Sequence, residues 1–329
     1  MSTSMRTGVG SAFGSCGELL QGVTAGDDRD FLVTLPIRQG SVAVFEPGTG
    51  DGEIETVPPH KSKARRLAEL MLERSGHRQP GRLTIISELP EGKGLASSTA
   101  DLVAAARAIA DAQGRGIAAA EIEDLLRGIE PSDGVMYPGS VAFYHREVRL
   151  LARLPALPPL TIVLADEGGQ LDTVDFNRRA KPFTAADKRE YTRLLGGLTE
   201  ALARRDHHRI GEIATRSALM NSVLRERPHL DLACRAARGM GALGVVIAHS
   251  GTATGILLAD DDPDYPGKLA EAHRISAEYG TAVSVHRTWR PRPPDWPGSA
   301  GPPITMRPRA ESRPSAAAEH GRGARAVVR

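Results

Sequence analysis

The segment PEGKGLASSTAD, from Pro90 to Asp101, lies between a strand-like run at 82–88 and a helical run at 101–113. A loop of small residues before a helix exposes unpaired backbone N–H groups at the positive end of the helix dipole, which makes an anion site. Gly92 and Gly94 would let a phosphate approach the backbone without a clash from a side chain. The segment therefore predicts a loop that holds the phosphates of a nucleotide.

Polar side chains in the same segment support this interpretation. An ammonium can neutralise phosphate charge, and hydroxyls can contact a phosphate or Mg²⁺. The side chains concerned are Lys93, Ser97, Ser98 and Thr99. The spacing matches neither a Walker A loop nor the dinucleotide-binding fingerprint, because Gly94 follows Lys93 and no G-x-G-x-x-G occurs here. The alternative is a glycine turn followed by a helix that a serine or threonine caps.

The composition is that of a globular protein. The chain has 329 residues, 40% of them apolar and 25% charged, so it can bury a sizeable core and form two domains. The net charge of +2 is unevenly distributed, because residues 291–329 hold seven arginines against three acidic residues. That segment contributes +4, which leaves −2 for the rest of the chain. The folded part therefore gives no general argument for nucleic-acid binding.

Residues 290–329 are predicted to be a disordered tail. Eight prolines and seven arginines fall between residues 291 and 329, and no apolar periodicity remains there. A basic tail could touch nucleic acid or a membrane, but a solvated extension is the favoured interpretation.

The cysteines and the N-terminus bear on the compartment. Two cysteines, Cys16 and Cys234, do not make a disulfide scaffold, and Cys16 is interpreted as a packed small residue rather than a nucleophile. There is no apolar leader at the N-terminus and no run of 18 apolar residues. We therefore expect a cytoplasmic protein that does not enter a membrane.

A proline-rich stretch divides the predicted elements into two groups. Pro155, Pro158 and Pro159 interrupt the chain, so we predict domains at 1–157 and 158–289. In the first domain, the hydrophobic periodicity predicts helices at 61–73, 101–113 and 118–129 and strands at 31–37, 41–45, 82–88, 141–144 and 148–151. In the second, it predicts helices at 185–204, 208–224 and 264–279 and strands at 160–166, 243–248, 255–259 and 282–286.

Two carboxylates follow the helix predicted at 118–129. Glu130 and Asp133 flank a proline turn, EPSDG, which can bring both side chains into one region. Carboxylates held close together repel each other unless a cation or a proton separates them, and Mg²⁺ takes oxygen ligands. One carboxylate could bind the metal while the other takes a proton from a substrate hydroxyl. The alternative is an ordinary β-turn, for which Pro-Ser-Asp-Gly is a favourable sequence.

Two further segments are rich in small residues. HSGTATG, at 249–255, lies between two predicted strands, where it could approach a ligand closely or simply close a hairpin. GSCGELLQG, at 14–22, contains Glu18, which is a candidate substrate contact.

Along the chain the four segments follow the order GSCGELLQG, PEGKGLASSTAD, EPSDG and HSGTATG. In this order they resemble segments of the GHMP superfamily of small-molecule kinases. The family's phosphate loop is written P-x-x-x-G-L-x-S-S, and the matching positions are Pro90, Gly94, Leu95, Ser97 and Ser98. HSGTATG resembles the family's C-terminal glycine-rich motif. Within the superfamily, GSCGELLQG, GKGLASSTAD, EPSD and the run GGQLDTVDFN at 168–177 are similar to segments of the L-threonine kinases of cobamide synthesis. The resemblance extends from residue 14 to about residue 286.

The resemblance implies two α+β domains with ATP and the substrate in the cleft between them. The N-terminal domain would be ribosomal-protein-S5-domain-2-like, and the C-terminal domain a ferredoxin-like α/β sandwich. It implies an enzyme that uses ATP and Mg²⁺ to phosphorylate the side-chain hydroxyl of L-threonine. The alternatives are a kinase for homoserine, serine or a mevalonate-like acid, and a non-catalytic protein that binds a metabolite. The resemblance implies nothing about the oligomeric state.

The resemblance also implies roles for individual residues. The residues that would bind ATP are Pro90, Glu91, Gly92, Lys93, Gly94, Leu95, Ala96, Ser97, Ser98 and Thr99. Asp133 would orient or deprotonate the substrate hydroxyl, and Lys93 and Ser97 would act on the transferred phosphoryl group. Ser98 and Glu130 would hold Mg²⁺. The residues on the substrate side would be Glu18, Gly251 and Thr252.

The spacing of the two carboxylates departs from the family pattern. In several GHMP kinases the metal-binding glutamate lies well upstream of the catalytic aspartate, whereas Glu130 and Asp133 are three residues apart. Their roles could therefore be exchanged or shared. Some members also lack a catalytic carboxylate and rely on proximity and charge stabilisation. Asp172 and Thr173 are further candidate substrate contacts, with a structural role as the alternative.

Overall fold

A computed structural model describes residues 5–50, 52–77, 79–169 and 181–289. Within them the chain forms ten strands and seven α-helices. The strands are β1 (Gly8–Val23), β2 (Asp30–Pro47), β3 (Ile54–Val57), β4 (Gly81–Ser87), β5 (Val141–Tyr144), β6 (Arg149–Arg153), β7 (Leu160–Asp166), β8 (Gly244–Ile247), β9 (Ala253–Ala259) and β10 (Ala282–Arg287). The helices are α1 (Ser62–Arg74), α2 (Ser97–Ala112), α3 (Ala119–Arg127), α4 (Ala185–Arg204), α5 (His207–Asn221), α6 (Leu230–Gly239) and α7 (Tyr265–Tyr279).

One sheet connects the two halves of the chain. Its strand order is β10-β7-β9-β8-β1-β2-β4-β3, with β5 paired to β2 and β6 paired to β5. The second half runs strand, helices, two strands, helix, strand, with the order β10-β7-β9-β8, which is the arrangement of a ferredoxin-like sandwich. β1 and β8 pair through Glu18 and Ile247. Glu18 therefore lies where the two halves of the sheet meet.

The alanine-rich helix α2 packs closely against β1. A Cβ on Gly10 would lie 2.2 Å from the carbonyl oxygen of Ala104, and a Cβ on Gly8 would lie 2.2 Å from that of Ala108. Glycines on the strand and alanines on the helix thus let the two backbones approach each other, and thirteen of the helix's sixteen residues are buried. This packing fixes the first turn of α2, at Ser97, relative to β1.

Most of the predicted elements are confirmed to within a few residues, but several differ. The strands predicted at 31–37 and 41–45 are one strand, β2, because β1 pairs both with Pro36 and with Gly40 and no turn separates them. The helix predicted at 101–113 begins four residues earlier, at Ser97. The sequence patterns did not predict β1, β3 or α6.

Some predictions are not tested by the described residues. The predicted tail at 290–329 lies outside them, as do Asp172 and Thr173. The division at 157/158 stays a prediction, and one apolar cluster contains residues from both sides of it, such as Phe31 and Leu164. In the part of the chain that is described, no helix combines the length and the hydrophobicity that crossing a bilayer requires.

Candidate active site

The predicted phosphate loop is a glycine turn that runs directly into α2. Gly92 and Gly94 have positive φ angles of 72° and 79°, and Ala96 has a φ of 58° just before the helix. Because α2 begins at Ser97, the three hydroxyls at 97–99 belong to its first turn rather than to the loop. No side chain caps this turn, so its N–H groups are suited to bind an anion.

A cavity of about 160 Å³ lies beside the first turn of α2, and we call it the carboxylate cavity. It brings together most of the predicted polar site residues: Glu18, Ser97, Ser98, Thr99, Glu130 and Asp133. The predicted loop residues that line it are Gly92, Gly94, Leu95 and Ala96. Predicted residues that do not line it are Pro90, Glu91, Lys93, Gly251 and Thr252. Three lining residues lie outside the four predicted segments: Leu32, Lys63 and His145. Four more lie within those segments but were not given a role: Pro131, Ser132, His249 and Ser250.

Glu130 is held in this cavity by a hydroxyl and an ammonium. Its Oε1 accepts a hydrogen bond of 2.5 Å from the Ser98 hydroxyl, and its Oε2 contacts Nζ of Lys63. A carboxylate and a hydroxyl that touch each other are two adjacent oxygen ligands of the kind that Mg²⁺ prefers. Among the described residues, no three carboxylate, imidazole or thiol side chains form a metal cluster. The Ser98–Glu130 pair thus fits a metal whose other ligands are phosphate and water oxygens.

Glu18 is a buried carboxyl and Asp133 is a partly buried one, and both line the same cavity. Burial raises the pKa of Asp133 to about 6, and the charge of Glu130 adds to the rise. Burial also raises the pKa of Glu18 well above its usual range, and the charge of Asp133 adds to it. Oε2 of Glu18 has no hydrogen-bond partner among the described residues. These two carboxyls therefore favour a bound proton or a bound cation.

Thr99, which also lines the cavity, holds the turn that carries Asp133. The backbone N–H of Asp133 donates to the Thr99 hydroxyl at 3.2 Å. Thr99 is itself buried, in the first turn of α2. The helix that carries the phosphate-loop hydroxyls thus also fixes the turn that carries the second carboxylate.

The glycine-rich loop at 248–252 packs against the phosphate loop. A Cβ on Gly251 would lie 2.3 Å from the carbonyl oxygen of Lys93, and a Cβ on Gly94 would lie 2.3 Å from the Cβ of Ala248. Neither place has room for a side chain. We had predicted that these glycines let a ligand approach the backbone. Instead, each glycine lets one loop approach the other.

Lys93 reaches the C-terminal half of the chain. Its Nζ lies 2.7 Å from Oδ2 of Asp166 and donates to the carbonyl oxygen of Gly169 at 3.2 Å. The Thr252 hydroxyl donates to Oδ1 of the same carboxylate at 2.5 Å. Lys93 and Thr252, which we expected on the phosphate and substrate sides, therefore share Asp166 as a partner.

A second cavity, of about 260 Å³, adjoins the first, and we call it the ion-pair cavity. The two cavities share four lining residues: Lys63, Gly92, Ser97 and Ser98. In the ion-pair cavity, Nζ of Lys61 lies 2.6 Å from Oδ2 of the buried Asp101 and also contacts Glu91. Nε2 of His60 lies 3.1 Å from Oε1 of Glu91. Its two carboxylates thus both have basic partners.

Comparison with known proteins gives a consistent result for both halves of the chain. The model of the GHMP kinases N terminal domain matches residues 62–141, and that of the GHMP kinases C terminal domain matches residues 198–276. The chain belongs to the GHMP kinases. The predicted two-domain α+β fold of that family is confirmed, and this GHMP kinase is a small-molecule kinase with an alcohol acceptor.

Relatives of this GHMP kinase include two L-threonine kinases. The protein from Citrobacter freundii is 28% identical over 254 residues, which cover 76% of this chain and 87% of the relative. The protein from Salmonella typhimurium is 29% identical over 269 residues, which cover 78% and 86%. A crystal structure of homoserine kinase from Cytophaga hutchinsonii is 19% identical, covers 88% of this chain and 96% of that one, and has a TM-score of 0.65.

The sequence interpretation of this GHMP kinase missed the basic side chains that face the phosphate loop. Lys61 and Lys63 lie at the start of α1, about thirty residues before the loop, and the run HKSK at 60–63 was the visible signal. His145 follows β5 with no signal around it. The interpretation of Cys16 is confirmed, since this residue is fully buried and burial raises the pKa of its thiol far above the ordinary value.

Proposed function

We propose that this GHMP kinase phosphorylates the side-chain hydroxyl of L-threonine with ATP, in the cytoplasm, to give O-phospho-L-threonine and ADP. The observation that carries the proposal is the carboxylate cavity. Glu18, Glu130 and Asp133 face one space beside the helix turn that is suited to bind phosphate. The two relatives named L-threonine kinase support the choice of alcohol.

Asp133 is the proposed acceptor of the hydroxyl proton. The threonine oxygen forms a bond to the γ-phosphorus, the bond from that phosphorus to the ADP oxygen breaks, and the hydroxyl proton passes to the Asp133 carboxylate. A pKa of about 6 suits this role, because the carboxylate is ionised at neutral pH and still basic enough to take a proton. Burial and the hydrogen bond from its backbone to Thr99 hold it in place.

Glu130 and Ser98 are the proposed protein ligands of Mg²⁺. Their oxygens are in contact, and among the described residues the ammonium of Lys63 is the one positive charge paired with Glu130. Of the described residues that line the cavity, three are carboxyls and Lys63 has the one permanent positive charge. A triphosphate adds more negative charge, so it needs accompanying cations, and Mg²⁺ would neutralise the phosphate oxygens.

Glu18 is the proposed partner of the substrate's ammonium group. It is 4% exposed, and its Oε2 has no hydrogen-bond partner among the described residues. A buried carboxyl without a partner is costly, and a substrate ammonium would offset that cost. This favours an amino alcohol over mevalonate, which has no ammonium. From the L-threonine kinase resemblance we further propose that the product serves the aminopropanol arm of cobamide synthesis.

The test is release of ADP by the full chain with Mg·ATP and, separately, L-threonine, L-serine, L-homoserine or mevalonate. We expect kcat/KM for L-threonine to exceed that for L-serine by about tenfold or more, since a missing methyl group costs roughly that much. A blank without acceptor corrects for ATP hydrolysis. Preference for another alcohol would reject L-threonine and keep the kinase, and no turnover on any of the four would favour the non-catalytic alternative.

A further inference from the structure

Phosphoryl transfer needs positive charge where charge develops on the transferred group. The phosphate loop contains one lysine, Lys93, but its ammonium lies on Asp166, 2.7 Å away, and on the carbonyl oxygen of Gly169. Lys93 does not line the carboxylate cavity. Its contacts tie the loop to β7 in the other half of the chain, so Lys93 does not place its positive charge in the carboxylate cavity.

Lys63 lies where the two cavities meet. It lines both of them, together with Gly92, Ser97 and Ser98 of the phosphate loop and the first turn of α2. A nucleotide that places its phosphates on this turn would pass its terminal phosphate beside Lys63 on the way to Asp133. The side chain is 52% exposed, and its one described ionic partner is Oε2 of Glu130. It can therefore move toward a new anion at little cost.

The contact with Glu130 explains how this lysine could be released. Glu130 Oε2 holds the Lys63 ammonium, and Oε1 holds the Ser98 hydroxyl. A metal bound by Glu130 would compete with the ammonium for the carboxylate, since both need the same oxygens. Because Lys63 lines both cavities, its ammonium could then contact a phosphate bound at the first turn of α2.

We propose that Lys63 is the side chain that neutralises the γ-phosphoryl group during transfer, and that Lys93 instead positions the phosphate loop through Asp166. The inference rests on the kinase activity proposed above, but not on which alcohol accepts the phosphate. It makes Lys63 a catalytic residue and Lys93 a positioning residue.

The test compares Lys63→Met with Lys63→Arg in the full chain, with Arg65→Met as the control. Arg65 is on the same helix, is exposed, and pairs only with Glu69 among the described residues. Calorimetry measures the affinity for ADP and for a β,γ-methylene analogue of ATP, each with Mg²⁺. We expect Lys63→Met to weaken binding of the analogue about tenfold and of ADP less than threefold, because a charge-assisted contact to the γ-phosphate is lost. Lys63→Arg should retain most of the affinity, and Arg65→Met all of it.

Turnover provides a second measurement. We expect Lys63→Met to lower kcat by about 10²-fold, as loss of one donor at a developing charge does. The same substitution is then made in a Glu130→Gln background. If Lys63 acts on the phosphate, it lowers kcat there as well. If the effect disappears, Lys63 acts only through Glu130 and the proposal is wrong.

The outcomes separate the two proposals. Equal losses for ADP and for the analogue, or unchanged affinity for both, would overturn the role of Lys63 even if L-threonine is the substrate. A wild-type chain that binds the analogue through Lys63 but does not phosphorylate L-threonine would overturn only the proposed substrate. Thermal melts check folding, and we expect the variants at Lys63 to melt at the wild-type temperature, because an exposed ion pair contributes little to stability.

Discussion

The two adjoining cavities beside the first turn of α2 differ in how their charges are balanced. In the ion-pair cavity, Asp101 and Glu91 are both bound by Lys61, and Glu91 also by His60. Among the described residues that line the carboxylate cavity, there are three carboxyls and one ammonium, that of Lys63, which contacts Glu130. Glu18 has an oxygen without a partner among the described residues. The charges of the ion-pair cavity are thus balanced without a ligand. The carboxylate cavity has excess negative charge, which a ligand with positive charge would balance.

From this difference we infer which part of the ligands each cavity would hold. A balanced wall suits the uncharged part of a nucleotide, because binding it disturbs no ion pair. A wall with excess carboxylate suits the site of phosphoryl transfer, where it can bind a metal, a substrate ammonium and the proton of the substrate hydroxyl. The imbalance costs stability in the free protein, which is a common property of active sites.

Removing the carboxylate at the reacting end should have the largest effect. We expect Asp133→Asn to lower kcat by about 10²- to 10⁴-fold, because general base catalysis is lost. The affinity for Mg·ATP should change less than about threefold, since Asp133 is the proposed partner of the alcohol and Glu130 the proposed partner of the metal. Steady-state kinetics with L-threonine measure kcat. Calorimetry with Mg²⁺ and a β,γ-methylene analogue of ATP measures the nucleotide affinity. Unchanged turnover would rule out Asp133 as the base and favour an exchange of roles with Glu130.

The same residue should give activity and stability opposite dependences on pH. The pKa of Asp133 rises from 3.8 to about 6 on folding, so the folded chain holds this proton more tightly than the unfolded chain. The stabilisation from the bound proton is complete below pH 3.8 and is lost as the pH rises through about 6. Activity should increase over the same range, because the base must be ionised.

Asp133→Asn isolates this contribution to stability. A shift of about two pKa units corresponds to about 3 kcal/mol. Part of this is already lost by pH 4.5, so between pH 4.5 and pH 7.5 the wild type should lose about 2 kcal/mol more unfolding free energy than the variant, as urea unfolding would measure. Equal pH dependence in the two proteins would mean that Asp133 is not buried as a titrating group.

Local sequence patterns predicted the segments that line the carboxylate cavity, but not the contacts between distant segments. Glu130 and Asp133 are close in the chain, and the glycines and hydroxyls of the phosphate loop form one segment, so local patterns were sufficient. The start of α2 was missed because serine and threonine favour loops and caps over helix interiors, whereas here Ala96 makes the left-handed turn and the helix begins at once. Lys63 and the Lys93–Asp166 pair join segments far apart in the chain, and no local pattern specifies such contacts.

The smallest effect is expected in the balanced cavity. Glu91 is 58% exposed, and hydrogen bonds from Lys61 and then His60 lower the pKa of its carboxyl. An exposed ion pair contributes at most about 1 kcal/mol, and Lys61 keeps the buried Asp101 as a partner after the change. Glu91→Gln should therefore alter KM for ATP less than about threefold and leave kcat unchanged. Glu55→Gln, which removes another exposed ion pair with Arg82, is the matched control. A loss of tenfold or more for Glu91→Gln alone would show that this carboxylate contacts the nucleotide, and the contrast between the two cavities would no longer hold.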